Sequence, residues 1–190
     1  MGYKTNPTDD FSAASQPPAT TLDAPRLIEN FLQRALEKDF GLHTADISLD
    51  TLEDGSGYQL WVSMDDDAYV PDGSNMIELS TLARTAVEEL QTEAAGEEEV
   101  FPCNVMGADQ DGLVLQDATL PAIYQVLTRL SQNAGLHWHN SKACFEKGYD
   151  YSLEDVQQAI ALTPANENDE NSAPDWTAPV DMGRPKFYLQ

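Results

Sequence analysis

Apolar residues recur at helical and strand periods over the middle of the chain, and those periods set out its elements. Leu27, Phe31, Leu32, Leu36 and Phe40 share one helical face, Asp23 is placed to cap it, Pro25 suits its opening turn and Gly41 its stop. Ile47 and Leu49 then alternate with Asp46, Ser48 and Asp50. Tyr58, Leu60, Val62 and Met64 alternate with Gln59, Trp61, Ser63 and Asp65. Between these two strands, Asp54-Gly55-Ser56-Gly57 reads as a hairpin turn. A second helix is predicted over 76–94, with Asn75 and Glu78 as a capping box and Leu79, Leu82, Ala83, Ala86, Val87 and Leu90 as its stripe.

Two more strands follow, over 100–106 and 112–116, joined by the segment from Gly107 to Gly112; Pro102 argues for an edge position. A third helix over 119–133 carries Ile123, Val126, Leu127 and Leu130 and ends at Gly135. A last one starts at Ser152, where Asp155 completes a capping box, and stops before Pro164. The order is α-β-β-α-β-β-α-α. It implies an α+β domain: an antiparallel sheet of about four strands with helices on one face. The αββ succession occurs twice, about 53 residues apart, without residue-level similarity. Residues 1–21 read as a flexible leader, 22–163 as a single domain, and 164–190 as a flexible acidic tail with the basic-aromatic end Gly183–Gln190. That end could dock elsewhere or fold back on the acidic face.

Charge changes this picture more than composition does. The 190 residues hold 33 acids and 10 Lys or Arg, a formal net charge of −23. Direct binding to nucleic acid or an anionic membrane is disfavoured, because phosphate-neutralising residues are scarce. The excess is local: residues 39–117 hold 19 acids and one base, Arg84, whereas 118–150 hold two acids and three bases. A halophilic surface would spread its excess over the whole domain, and 118–150 does not fit that. Many of these acids fall on polar faces and in turns, so a rigid scaffold would hold an array of carboxylates with little compensation. Eighteen charges match about 30 Å of duplex DNA, or roughly nine base pairs.

In composition and charge layout, though in no motif, the chain resembles the DNA-mimicking antirestriction and anti-CRISPR inhibitors. The leading expectation is a non-catalytic inhibitor that presents a nucleic-acid-like surface to a basic, nucleic-acid-binding protein. Its contacts would come from Asp50, Glu53, Asp54, Asp65, Asp66, Asp67, Asp72, Glu88, Glu89, Glu97, Glu98 and Glu99, with Trp61 as an aromatic anchor. The element order over 26–133 also resembles class I type III secretion chaperones, which are small, acidic, dimeric α+β proteins. The chain departs from them in its long tails and in lacking a clear third strand before the second helix. That likeness implies an adaptor for a protein client and is compatible with a homodimer. A small carboxylate-metal enzyme is the third reading.

Chemical motifs add little. His137-Trp138-His139 with Cys144 has metal-capable side chains but no second cluster at a zinc spacing, so a loop packing around Trp138 is the plainer reading. His43 stands alone past a helix end, where a cation suits the dipole. The window Asp67–Glu78 places Tyr69 and Pro71 where an EF-hand needs ligands, and Asp109-Gln110-Asp111-Gly112 fails at Leu113. Lys142 and Lys147 flank Cys144 and could lower its thiol pKa. No Gly-x-Ser-x-Gly or phosphate-binding loop is present. No cofactor or metal is expected. Two cysteines, no apolar leader and no 18-residue apolar run point to reduced thiols and a cytoplasmic protein.

Overall fold

The computed structural model describes residues 23–64 and 73–163. The leader, the tail and the acids Asp65, Asp66, Asp67 and Asp72 lie outside them. The first helix, α1 (Ala24–Asp39), starts where Asp23 accepts a hydrogen bond from the Arg26 amide at 3.0 Å. It ends at Gly41, whose φ of +66° lets the Leu42 amide reach the Leu36 carbonyl at 2.8 Å. Next come β1 (Ala45–Thr51) and β2 (Tyr58–Met64), then α2 (Gly73–Gly96), β3 (Asn104–Ala108) and β4 (Gly112–Ala118). The chain closes with α3 (Leu120–Asn133), α4 (Ser141–Lys147) and α5 (Leu153–Leu162).

The sheet order is β1-β2-β4-β3, and every neighbouring pair is antiparallel. Leu49, Leu60, Val62, Leu113 and Leu115 fill its inner face and meet Leu32, Leu36, Leu79, Ala83, Val126 and Leu130 from the helices in one hydrophobic core. The fold is thus α+β with helices on one face. The two αββ units are arranged alike: β2 and β4 pair at the centre, while each unit's helix lies along its own edge strand, α1 on β1 and α2 on β3. Glu29 Oε1 accepts from the Leu49 amide at 2.8 Å on the β1 edge. Arg84 and Gln91 donate to the Ala108 and Cys103 carbonyls at 2.7 and 2.9 Å on the β3 side. Side chains from α1 and α2 therefore satisfy edge groups that would otherwise invite strand pairing.

Three local expectations change. Helix α2 begins at Gly73, so Asn75 sits inside the helix rather than capping it; first-turn amides need no intrahelical acceptor, which lets the helix extend backward. Strand β3 begins at Asn104, after Pro102, because the Cys103 amide turns back to the Phe101 carbonyl at 2.9 Å. Its register with β4 shifts between Val105 and Gly107. The segment 137–144 does not stay a loop, since Asn140 caps the seven-residue α4 by accepting from the Ala143 amide at 3.0 Å. The capping box of α5 does form: Asp155 accepts from the Ser152 amide at 2.6 Å and its hydroxyl at 2.9 Å. Among the described residues no helix is long and apolar enough to cross a membrane.

Candidate functional site

Among the described residues no helix lies over the outer face of the sheet. Strand alternation sends Asp46, Ser48 and Asp50 of β1 and Gln59, Trp61 and Ser63 of β2 to that side. In register, Asp46 lies opposite Ser63, Ser48 opposite Trp61, and Asp50 opposite Gln59. Trp61 in turn faces Val114 of β4, and Val114 faces Gly107 of β3. Trp61 is 44% exposed and Met106, at the β3 irregularity, 63%. A polar strip thus borders a bare indole. Ser48 donates its hydroxyl to Asp50 and so orients that carboxylate along the face.

The two hairpins extend this surface. The β1–β2 turn carries Glu53 and Asp54, both exposed. Asp54 accepts from the Ser56 hydroxyl at 2.6 Å and the Ser56 amide at 3.0 Å, which holds its carboxyl below the ordinary value. The antiparallel register places the Asp117 end of β4 and the start of β3 at this same end of the sheet. Helix α2 runs antiparallel to β3, since Arg84 reaches Ala108 while Gln91 reaches Cys103. Its C-terminus, followed by the exposed Glu97, Glu98 and Glu99, is therefore delivered to that end as well. Asp109 and Asp111 lie in the turn at the opposite end.

Cations are absent from this layer. The two hairpins, 45–64 and 104–118, contain seven acids and no lysine or arginine. Helices α1, α3, α4 and α5 contain six acids and six bases. Of the expected contacts, Asp50, Glu53, Asp54 and Trp61 lie on the sheet layer. Glu97, Glu98 and Glu99 lie near its hairpin end, and Glu88 is exposed on α2 beside the groove against β3. Glu89 is already engaged: Arg129 of α3 bonds it at 3.1 Å and Glu93 at 2.8 Å, and Asn133 donates to Glu89 at 3.3 Å. Counting charge along 39–117 hid this pairing, because the guanidinium arrives from position 129.

A second constellation was not foreseen. The side chain of Asp39, at the end of α1, is 2% exposed. It accepts from Trp138 Nε1 at 3.0 Å, from Lys147 Nζ and from Tyr149 Oη. Burial pushes the Asp39 pKa up, but these donors outweigh it and hold the carboxyl below its ordinary value. Burial, with Asp39 beside it, pushes the Tyr149 phenol well up. Phe31 packs edge-on against Trp138 at 5.3 Å and tilted against Tyr149 at 5.5 Å. A cleft of about 240 Å³ borders this corner, lined in part by His137, Cys144 and Glu146. The carboxylate's donors come from α4 and its flanking turns, so the arrangement pins that segment to α1.

The cysteines and histidines do not assemble a reactive centre. Cys103 and Cys144 are both buried and unpaired. Burial pushes the Cys103 thiol up to about 12, with Asp117 adding to it. Burial and then Asp39 raise Cys144 as well, overriding Lys147 and reversing the lowering its flanking lysines suggest. Cys144 Sγ donates to the Trp138 carbonyl at 3.3 Å, and His139 meets the Tyr124 ring edge-on at 6.0 Å. Asp109 is used by its own turn, accepting from the Asp111 and Gly112 amides at 2.9 and 3.2 Å. Among the described residues no three His, Cys, Asp or Glu side chains converge as a metal site. Compared with protein-family models, curated proteins and solved structures, the chain finds no match.

Proposed function

We propose that the protein is a non-catalytic binder of a basic protein surface, and that it acts as a nucleic-acid mimic at a groove that otherwise holds phosphates. One observation carries this reading: the two hairpins of the open sheet layer hold seven acids and no lysine or arginine, while four of the five described helices balance six with six. An anionic surface of this kind steers a cationic partner at long range and loses its hold as salt rises. Trp61 supplies an apolar anchor within it, and such aromatic centres carry much of the energy in protein interfaces. Glu89 and Glu93 contribute less to the field, because Arg129 cancels one of their two charges.

The test is capture of host proteins on the immobilised full chain, followed by elution with rising salt and, separately, with duplex DNA. The reading predicts retention of a nucleic-acid-binding protein at about 0.1 M salt, release by about 0.5 M, and release by DNA at low salt. A captured protein that resists salt and ignores DNA contradicts it.

A further inference from the structure

The centre of the open sheet face has a composition more selective than charge alone. Trp61 stands opposite Ser48, so Asp46 and Asp50, two residues to either side of Ser48, are its diagonal neighbours on the same face. Such diagonal positions lie roughly 7–8 Å apart, within reach of one long side chain. Beyond Val114 the row ends in Gly107, which adds no side chain to cover the indole. Carboxylates by themselves attract ammonium and guanidinium alike. A bare indole between two carboxylates distinguishes them. A guanidinium can lie flat on the ring while its edge N–H groups donate to a carboxylate, whereas an ammonium offers only a compact, strongly hydrated charge.

We infer that this is an arginine-recognition site. An arginine of the partner stacks on Trp61 and donates to Asp46 or Asp50, with Asp50 held in place by Ser48. The inference rests on the binding role proposed above and narrows the partner from basic to arginine-bearing. A second copy of the chain is a poor occupant, because it would bring the same unneutralised carboxylates face to face.

The test titrates the full-length protein with two labelled peptides of equal length and charge, one with arginine at every cationic position and one with lysine, at about 0.15 M salt. The arginine peptide should bind about tenfold more tightly. Trp61→Ala should bring it down to the lysine level while changing lysine-peptide binding less than twofold, and Trp61→Tyr should restore part of the preference. Asp46→Asn with Asp50→Asn should weaken both peptides. Equal binding of the two peptides by the native chain overturns arginine recognition while leaving the basic-partner reading standing; binding of neither removes both. If sedimentation instead finds a dimer whose formation excludes the arginine peptide, the face is a self-interface and the inference is wrong.

Discussion

The helical layer and the sheet layer use their acids in opposite ways. On the helical side, several carboxylates have cationic partners, while Glu29 and Asp155 accept from backbone amides. Arg34 bridges Glu37 at 3.1 Å and Asp150 at 3.6 Å, Lys142 meets Glu146 at 3.8 Å, and Lys147 reaches Asp39. On the sheet side, the bonds that acids make among the described residues go to neighbouring hydroxyls, amides or a side-chain amide, as Asp54 does with Ser56 and Asp117 with Asn104. Exposed ion pairs contribute little stability, so pairing on the helical side mainly cancels the field there. Among the described residues no cation pairs with the sheet-side acids and no helix covers that surface, so the field there is left intact. Net charge of the chain says nothing of this division; placement decides it.

Substitutions sharpen the contrast, because the two layers depend on different things. The helical layer depends on one buried carboxylate. Asp39→Ala leaves the Tyr149 hydroxyl and the Trp138 N–H without their acceptor and should cost about 2–5 kcal/mol in urea denaturation. The same group sets an acid limit. Its folded pKa lies below the ordinary 3.8, so its contribution is present above that pH and is lost as pH falls through the folded value. The difference in stability between the native chain and Asp39→Asn should therefore be constant near neutrality and shrink below about pH 4. A difference that grows on acidification contradicts the assignment.

The sheet layer depends instead on backbone fit. A Cβ at Gly112 would lie 2.4 Å from the Val62 carbonyl oxygen, where β4 passes β2. Gly112→Ala should cost about 1–3 kcal/mol by thermal melting, although it removes no contact. Reversing Asp46, by contrast, should leave melting within about 0.5 kcal/mol, as for other exposed sites. Arg129→Gln should cost less than about 1 kcal/mol and free Glu89 and Glu93, so that affinity for a cationic peptide rises slightly. If affinity falls instead, the guanidinium belongs to the binding surface rather than screening it.

Much of this was legible in the sequence, and the rest was not for definite reasons. Asp23, Pro25 and Gly41 mark α1 because capping chemistry is local, and the alternation around Trp61 by itself puts it on the polar side of β2. Helix α4 spans seven residues, too few for a period to show. Pro102 blurred the start of β3, and the shift at Met106 breaks its alternation. Asp39 meets Trp138, Lys147 and Tyr149 across about a hundred residues of chain, a distance no local pattern reports. Glu89 stood among the expected contacts until Arg129 arrived from α3 to occupy it.

The central claim is that position on the molecule, rather than total charge, governs binding. Two triple variants with equal net charge decide it: Asp46→Lys, Asp50→Lys and Glu53→Lys on the sheet layer, against Glu146→Lys, Asp150→Lys and Glu154→Lys on the helical side. With both folded by circular dichroism, affinity for the arginine peptide should fall at least about thirtyfold in the first and less than about threefold in the second. Equal losses in the two would contradict a one-sided surface.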